Sequence, residues 1–250
     1  MSDEHPSYPN PTIVEALCEV HFRLPGGWEP SLAGELFKRI QDEYPEMEPM
    51  SEVSVQLEHG PAGVLQRIEP ARQKTRFKHA DRPLLIHLAE NMLTVNVLKP
   101  YPGWATMRSD VLSGWRHCRE VLEPESVQRV GLRYINRIPR ESLDQRPCDW
   151  LKASDYVPPA VLESRPGFFL RAQTHLDATN SLIVTLADAR GDATGDPGGI
   201  VFDIDRIVEQ DMGSDCQVIE DEIERLHTEV WRVFSSAKGP SLERLLRGEG

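Results

Sequence analysis

The sequence predicts an α+β fold of two pseudo-repeated lobes, each running strand, helix, antiparallel strands, long helix. Three observations carry this. A strand pattern occurs twice, over residues 12–25 and again over 128–139, each copy closing on an aliphatic residue and proline. Several short alternating segments follow each copy. A long amphipathic stripe then closes each half, the first before Pro124 and the second before Gly239-Pro240.

Residues 12–24 alternate well. Val14, Ala16, Cys18, Val20, Phe22 and Leu24 take one face; Ile13, Glu15, Leu17, Glu19, His21 and Arg23 take the other. Pro25-Gly26-Gly27 ends the strand. A helix is expected from Ser31, read as its N-cap, with Leu32, Leu36, Phe37 and Ile40 inward and Pro45 and Pro49 stopping it. Strands are expected at 53–58, 64–69, 74–79, 84–88 and 92–98. They are broken at Gly60-Pro61-Ala62-Gly63, Asp81-Arg82-Pro83 and Glu90-Asn91. A helix over 104–122 carries Met107, Val111, Leu112, Trp115, Cys118 and Leu122. The second half repeats the order. A strand is expected at 127–138, a short helix at 148–152, strands at 168–176, 182–188 and 200–207, and a helix over 217–236. The stripe of that helix is Ile219, Ile223, Leu226, Val230, Val233 and Phe234. Residues 241–247 add a further turn or two, and the Gly- and Asp-rich stretch 188–199 reads as a mobile loop.

The economical assembly joins two sheets edge to edge, with helices covering one face, in a saddle or helix-grip-like arrangement. Residues 1–10 form a flexible arm, 11–125 the first lobe and 126–250 the second, the two packed as one structural unit. Aligning the two strand patterns sets Glu15 and Glu19 opposite Arg129 and Arg133, which proposes a seam between the halves.

The bulk numbers bound the function. A net charge of -12 disfavours sequence-blind nucleic-acid binding, which needs cations against phosphates, and anionic membrane surfaces for the same reason. No apolar run is long enough for a membrane span, and residues 1–11 lack the basic and apolar regions of a signal peptide. The cytoplasm is therefore expected. Cys18, Cys118, Cys148 and Cys216 are scattered, without a C-x-x-C pair, which speaks against zinc. No cofactor is predicted.

Several segments together resemble a sporadically distributed family of bacterial proteins of unknown function, about this length. They are Pro11-Thr12-Ile13-Val14-Glu15-Ala16, Tyr101-Pro102-Gly103-Trp104, Gly131-Leu132-Arg133-Tyr134-Ile135-Asn136-Arg137 and Phe202-Asp203-Ile204-Asp205. Behind them comes a helix with Leu226-His227 and Trp231-Arg232-Val233-Phe234. One departure is Val97-Leu98 before Lys99-Pro100, where the family pattern tends to an aromatic. The resemblance implies an intracellular single unit and carries over no catalytic residue.

Chemistry could sit in four places. Arg129, Arg133 and Arg137 share a strand face and could grip phosphate or carboxylate, or be neutralised across the sheet by Glu15 and Glu19. Asp203 and Asp205 share a face and could hold a divalent metal or divide acid and base roles; solvated carboxylates, or partners for the arginines, are the competing reading. His21, His87 and His175 fall on the non-core side and could converge with Asp203 on a metal. Tyr101 and Trp104 flank a Pro-Gly turn as a recognition surface or as helix packing. The expected ligand residues are Arg133, Arg137, Asn136, His87, Asn96, Tyr101 and Trp104. The function they suggest is a non-catalytic binding or protein-interaction module, recognising an anionic small molecule or acidic segment of a protein partner on a polar sheet face. A homodimer is compatible with it. The competing function is a metal-dependent hydrolase or phosphoesterase built on Asp203 and Asp205.

Overall fold

A computed structural model describes residues 6–52, 55–60, 63–68, 72–140, 142, 144–165, 167–189, 191 and 198–249. Its centre is one antiparallel sheet of nine strands. In chain order the elements begin with β1 (Ile13–Arg23), α1 (Ser31–Ile40), β2 (Glu46–Glu52), β3 (Val55–Gly60), β4 (Gly63–Ile68), β5 (Arg72–Lys78), β6 (Leu84–Ala89), β7 (Met92–Leu98) and α2 (Trp104–Leu122). They continue with β8 (Ser126–Pro139), a 3-10 turn (Pro147–Asp149), α3 (Pro159–Leu162), β9 (Phe169–His175), β10 (Asn180–Ala189), β11 (Gly199–Met212), α4 (Cys216–Ala237) and α5 (Pro240–Arg247). The sheet order is β2-β5-β6-β7-β1-β8-β11-β10-β9, with β3 and β4 as a separate pair.

This corrects the two-lobed α+β expectation. Among the described residues strand outweighs helix and the sheet dominates. It is continuous through the midpoint of the chain, because β1 and β8 pair from Ile13↔Asn136 to Arg23↔Ser126. Neither half closes a sheet of its own. Strand alternation cannot reveal this, since it fixes which face a side chain takes but not which strand lies alongside.

The helical face forms the core. Ala16, Cys18, Val20 and Phe22 of β1, Val130, Leu132 and Tyr134 of β8, and Phe202 and Ile204 of β11 are buried there. Helix α2 packs on β7, and α4 packs on β8 and β11 and against α2. Trp115 of α2 is fully buried against the Phe22 ring, its indole N–H satisfied by the Ser214 carbonyl at 3.0 Å. At Gly114 the helix comes so near the sheet that a Cβ would stand 3.1 Å from Val95 Cγ2.

Several expectations shift at the ends of elements. Ser31 is the first residue of α1 rather than its cap; Pro30 takes the cap position, and the Ser31 hydroxyl turns to Glu29 instead. β2 had no expected counterpart. Its exposed glutamates and Pro49 give it no apolar face, and ion pairs from Glu48 to Arg76 and Glu46 to Lys78 tie it to β5. The strands expected at 53–58 and 64–69 fall partly outside the described residues, as do residues 1–5 of the arm and most of the 188–199 loop. The described part of the arm lies against α5: Asn10 N–H donates to the Leu246 carbonyl at 3.1 Å, and its side-chain amide to that of Leu245 at 3.1 Å.

Candidate functional site

The expected site residues divide between the two faces of the sheet. On the face away from the helices, Arg133 donates two hydrogen bonds to Asp203, from Nε to Oδ1 at 2.8 Å and from Nη2 to Oδ2 at 2.7 Å. This bidentate pair uses the planar fork of the guanidinium and nearly buries the Asp203 carboxylate. Arg129 pairs with Glu19, which His21 Nε2 also meets at 2.6 Å. Burial pulls the Glu19 carboxyl upward, but His21 and Arg129 outweigh it and leave the pKa at about 2. The seam is thus partly as the repeat alignment suggests. In the antiparallel register Arg129 stands opposite His21 and Arg133 opposite Leu17, so Glu19 reaches Arg129 on the diagonal. Arg133 turns to the third strand for its partner. Glu15 meets the side-chain amide of Asn96 instead.

The rest of this face is spread out. His87 Nδ1 lies 3.3 Å from Asn96 Oδ1. Arg137 is exposed near the end of β8. His21, His87 and His175 do share the polar face, but they do not converge. β6 and β1 are separated by β7, and three strands separate β1 from β9. At about 4.8 Å per strand, that holds the rings roughly 10 and 19 Å apart. Among the described residues no three His, Cys, Asp or Glu side chains are grouped so as to hold a metal ion.

The helical face brings together Tyr101, Trp104 and Asn136. They line a cavity of about 480 Å³, together with Tyr134, His227 and Trp231 among others. Local chain geometry sets this up. Gly103 takes φ +94°, a region that L side chains rarely adopt, and so turns the chain from Tyr101-Pro102 directly into α2. Trp104 therefore heads α2. Its ring stacks on His227 at 4.0 Å and 1°, and its indole N–H donates to Glu224 Oε2 at 3.0 Å. Glu224, His227 and Trp231 follow at i, i+3 and i+7 on α4, one helical face.

Hydrogen bonds fix the floor. The Tyr101 and Tyr134 hydroxyls lie 3.0 Å apart, and Tyr134 also donates to Met107 Sδ at 3.5 Å. Burial drives both phenols well above the usual range, so they stay protonated. Asn136 is on the core side, as alternation along β8 requires. It accepts from Thr12 Oγ1 at 3.0 Å and donates to the Phe202 carbonyl at 3.2 Å. The arm makes the far wall. Tyr8 packs by Trp231 with ring centroids 6.0 Å apart, Lys238 Nζ sits over both rings at 5.0 and 5.4 Å, and the Tyr8 hydroxyl donates to Glu243 Oε2 at 2.9 Å. Among the described residues that line it there is no Asp, Glu, Lys or Arg.

The sequence pattern does not connect Tyr8, Tyr134, His227 or Trp231 with Tyr101. The α4 spacing was a usable signal. The arm was not, because nothing in its composition says where it docks. No family model matches this sequence, and neither does any curated protein.

Proposed function

We propose that this chain is a non-catalytic binding module whose working site is the aromatic cleft, and that its ligand is a small, uncharged, largely apolar molecule with a planar ring and one hydrogen-bonding group. The observation that carries this is the lining: among the described residues, aromatic and proline walls without Asp, Glu, Lys or Arg, over a floor of protonated phenols and an amide. The volume falls within the range of small-molecule sites. Phenols held protonated supply hydrogen bonds rather than base catalysis.

The anion reading of the polar face is weaker on the same physical grounds. Arg133 already spends its fork on Asp203, so a phosphate there would have to displace a nearly buried carboxylate. That pairing equally weakens the hydrolase reading, which needs Asp203 available. We assign the chain to the bacterial family its motifs resemble, and to the cytoplasm, as parts of the same proposal. Among the described residues no helix is long and apolar enough to cross a membrane.

The test is a thermal-shift and tryptophan-fluorescence titration with indole and 2-naphthol as uncharged probes, and inorganic phosphate and ATP as anionic ones. A ligand at about a hundred times its Kd stabilises the native state by about 2.7 kcal/mol. Indole or 2-naphthol should raise Tm and change the tryptophan emission, and Tyr101→Ala should abolish both effects. Stabilisation by phosphate or ATP, with none by the uncharged probes, would overturn the proposal.

A further inference from the structure

The two edges of the sheet differ in what they allow. β2 forms one edge, and Pro49 with Glu46 and Glu48 protects it, since proline removes a donor and like charges repel an added strand. β9 forms the other edge, with the sequence Phe-Leu-Arg-Ala-Gln-Thr-His. It has no proline, no lysine and no acidic residue. It is also open: Phe169 is 71% exposed, and Leu176 just beyond the strand is 40% exposed.

The hydrogen-bond phase of β9 can be read from its ends. Leu176 N–H donates to the Asn180 carbonyl at 2.8 Å, and Asp188 N–H to the Phe168 carbonyl at 3.0 Å. The pairing with β10 continues in that register through Thr174, Ala172 and Leu170. Even-numbered residues therefore direct their backbone groups inward to β10. Phe169, Arg171, Gln173 and His175 direct theirs to the free edge.

We propose that β9 pairs antiparallel with β9 of a second copy of this chain, about a twofold axis at Ala172. In that register Arg171 stands opposite Gln173 of the second copy, and Phe169 opposite His175. All four residues carry outward backbone groups, so each opposed pair exchanges two backbone hydrogen bonds. Side chains of an opposed pair share a face, so His175 of the second copy covers the exposed Phe169 ring. No like charges stand directly opposite one another: Arg171 faces Gln173 and His175 faces Phe169 of the second copy, and the two Arg171 side chains meet only on the diagonal across the axis. A Glu-rich strand such as β2 could not do this with its own copy. The sheet would run continuously through both molecules. Strand addition buries less surface than a standard interface, which sets the dimer in the weak, micromolar class.

The test is analytical ultracentrifugation of the full chain over a concentration series reaching about 200 μM. The parent should show a monomer–dimer equilibrium. Gln173→Arg sets two arginines opposite each other on both sides of the axis and should raise the dimer Kd by at least about tenfold. The double variant Arg171→Glu/Gln173→Arg opposes unlike charges and should restore dimerisation. These side chains are exposed, and circular dichroism confirms that each variant is folded. A monomer throughout the series overturns the proposal, as does a dimer indifferent to Gln173→Arg. A dimer that the double variant fails to restore overturns the register at Ala172.

Discussion

Asp205 weakens the fold at neutral pH, and removing its charge should stabilise the protein. It lies on β11 opposite Arg133 on β8 and Ile183 on β10. Arg133 is close, but its two directed hydrogen bonds go to Asp203. Burial therefore dominates, only partly opposed by the charges of Arg133 and Arg129, while Asp203 and Glu19 add like charge; the pKa rises to about 6, from an ordinary 3.8. A raised pKa means the folded state holds its proton more tightly than the unfolded chain. The contribution is complete below pH 3.8 and is lost as pH rises through about 6. Two units and a little more correspond to a ceiling of about 3 kcal/mol above that pH. Asp205 is only half-buried, and solvent screening reduces the expected gain of Asp205→Asn to about 1–2 kcal/mol. For a chain of this size that is a Tm rise of roughly 2–8 °C. Urea denaturation followed by tryptophan fluorescence, at about pH 7.5 and pH 4, measures it. The variant should be the more stable protein at the higher pH, and the difference should close at the lower. A variant less stable than the parent at pH 7.5, or a difference unchanged between the two, would refute the reasoning.

How far the sequence carries depends on whether a feature is local. The α2 stripe of Met107, Val111, Trp115, Cys118 and Leu122 is a local pattern, and the helix spans the residues that pattern marks. β1 and β8 alternate strongly and form where expected. β2 was illegible because it is held by ion pairs at an edge and not by an apolar face. The repeat alignment already set β1 beside β8, but the order of the other strands in one continuous sheet was illegible, because it is chosen by packing across the whole chain. The charged face shows both cases at once. Asp203 as a partner for the arginine stripe was readable from alternation, because both lie on one face. That Arg133 would take Asp203 and leave Glu19 to Arg129 required the order β1-β8-β11. The cleft depends on three contacts distant in sequence: the arm, the Tyr-Pro-Gly-Trp turn and α4. The turn and the α4 spacing are legible in the sequence; the docking of the arm is not.

Three further outcomes follow from pairs and packing at fixed positions. Trp115→Ala should cost about 3–5 kcal/mol in chemical denaturation, since it empties a fully buried site between α2 and β1. Glu19→Gln should cost about 1–3 kcal/mol at neutral pH. Its sign with pH is opposite to that of Asp205: the depressed carboxyl stabilises above the ordinary 4.5 and loses that stabilisation as pH falls through about 2, so the loss should shrink across the acid limb. Glu229→Ala should cost about 3 kcal/mol, because it leaves the Arg206 guanidinium, nearly inaccessible to water, without its carboxylate partner. The Ser181 carbonyl still accepts from Arg206, which holds the loss near the lower end for a broken buried pair, and Glu229→Ala combined with Arg206→Met should recover much of it. A double variant no more stable than Glu229→Ala alone would show that the cost lies in lost helix packing and not in a stranded charge.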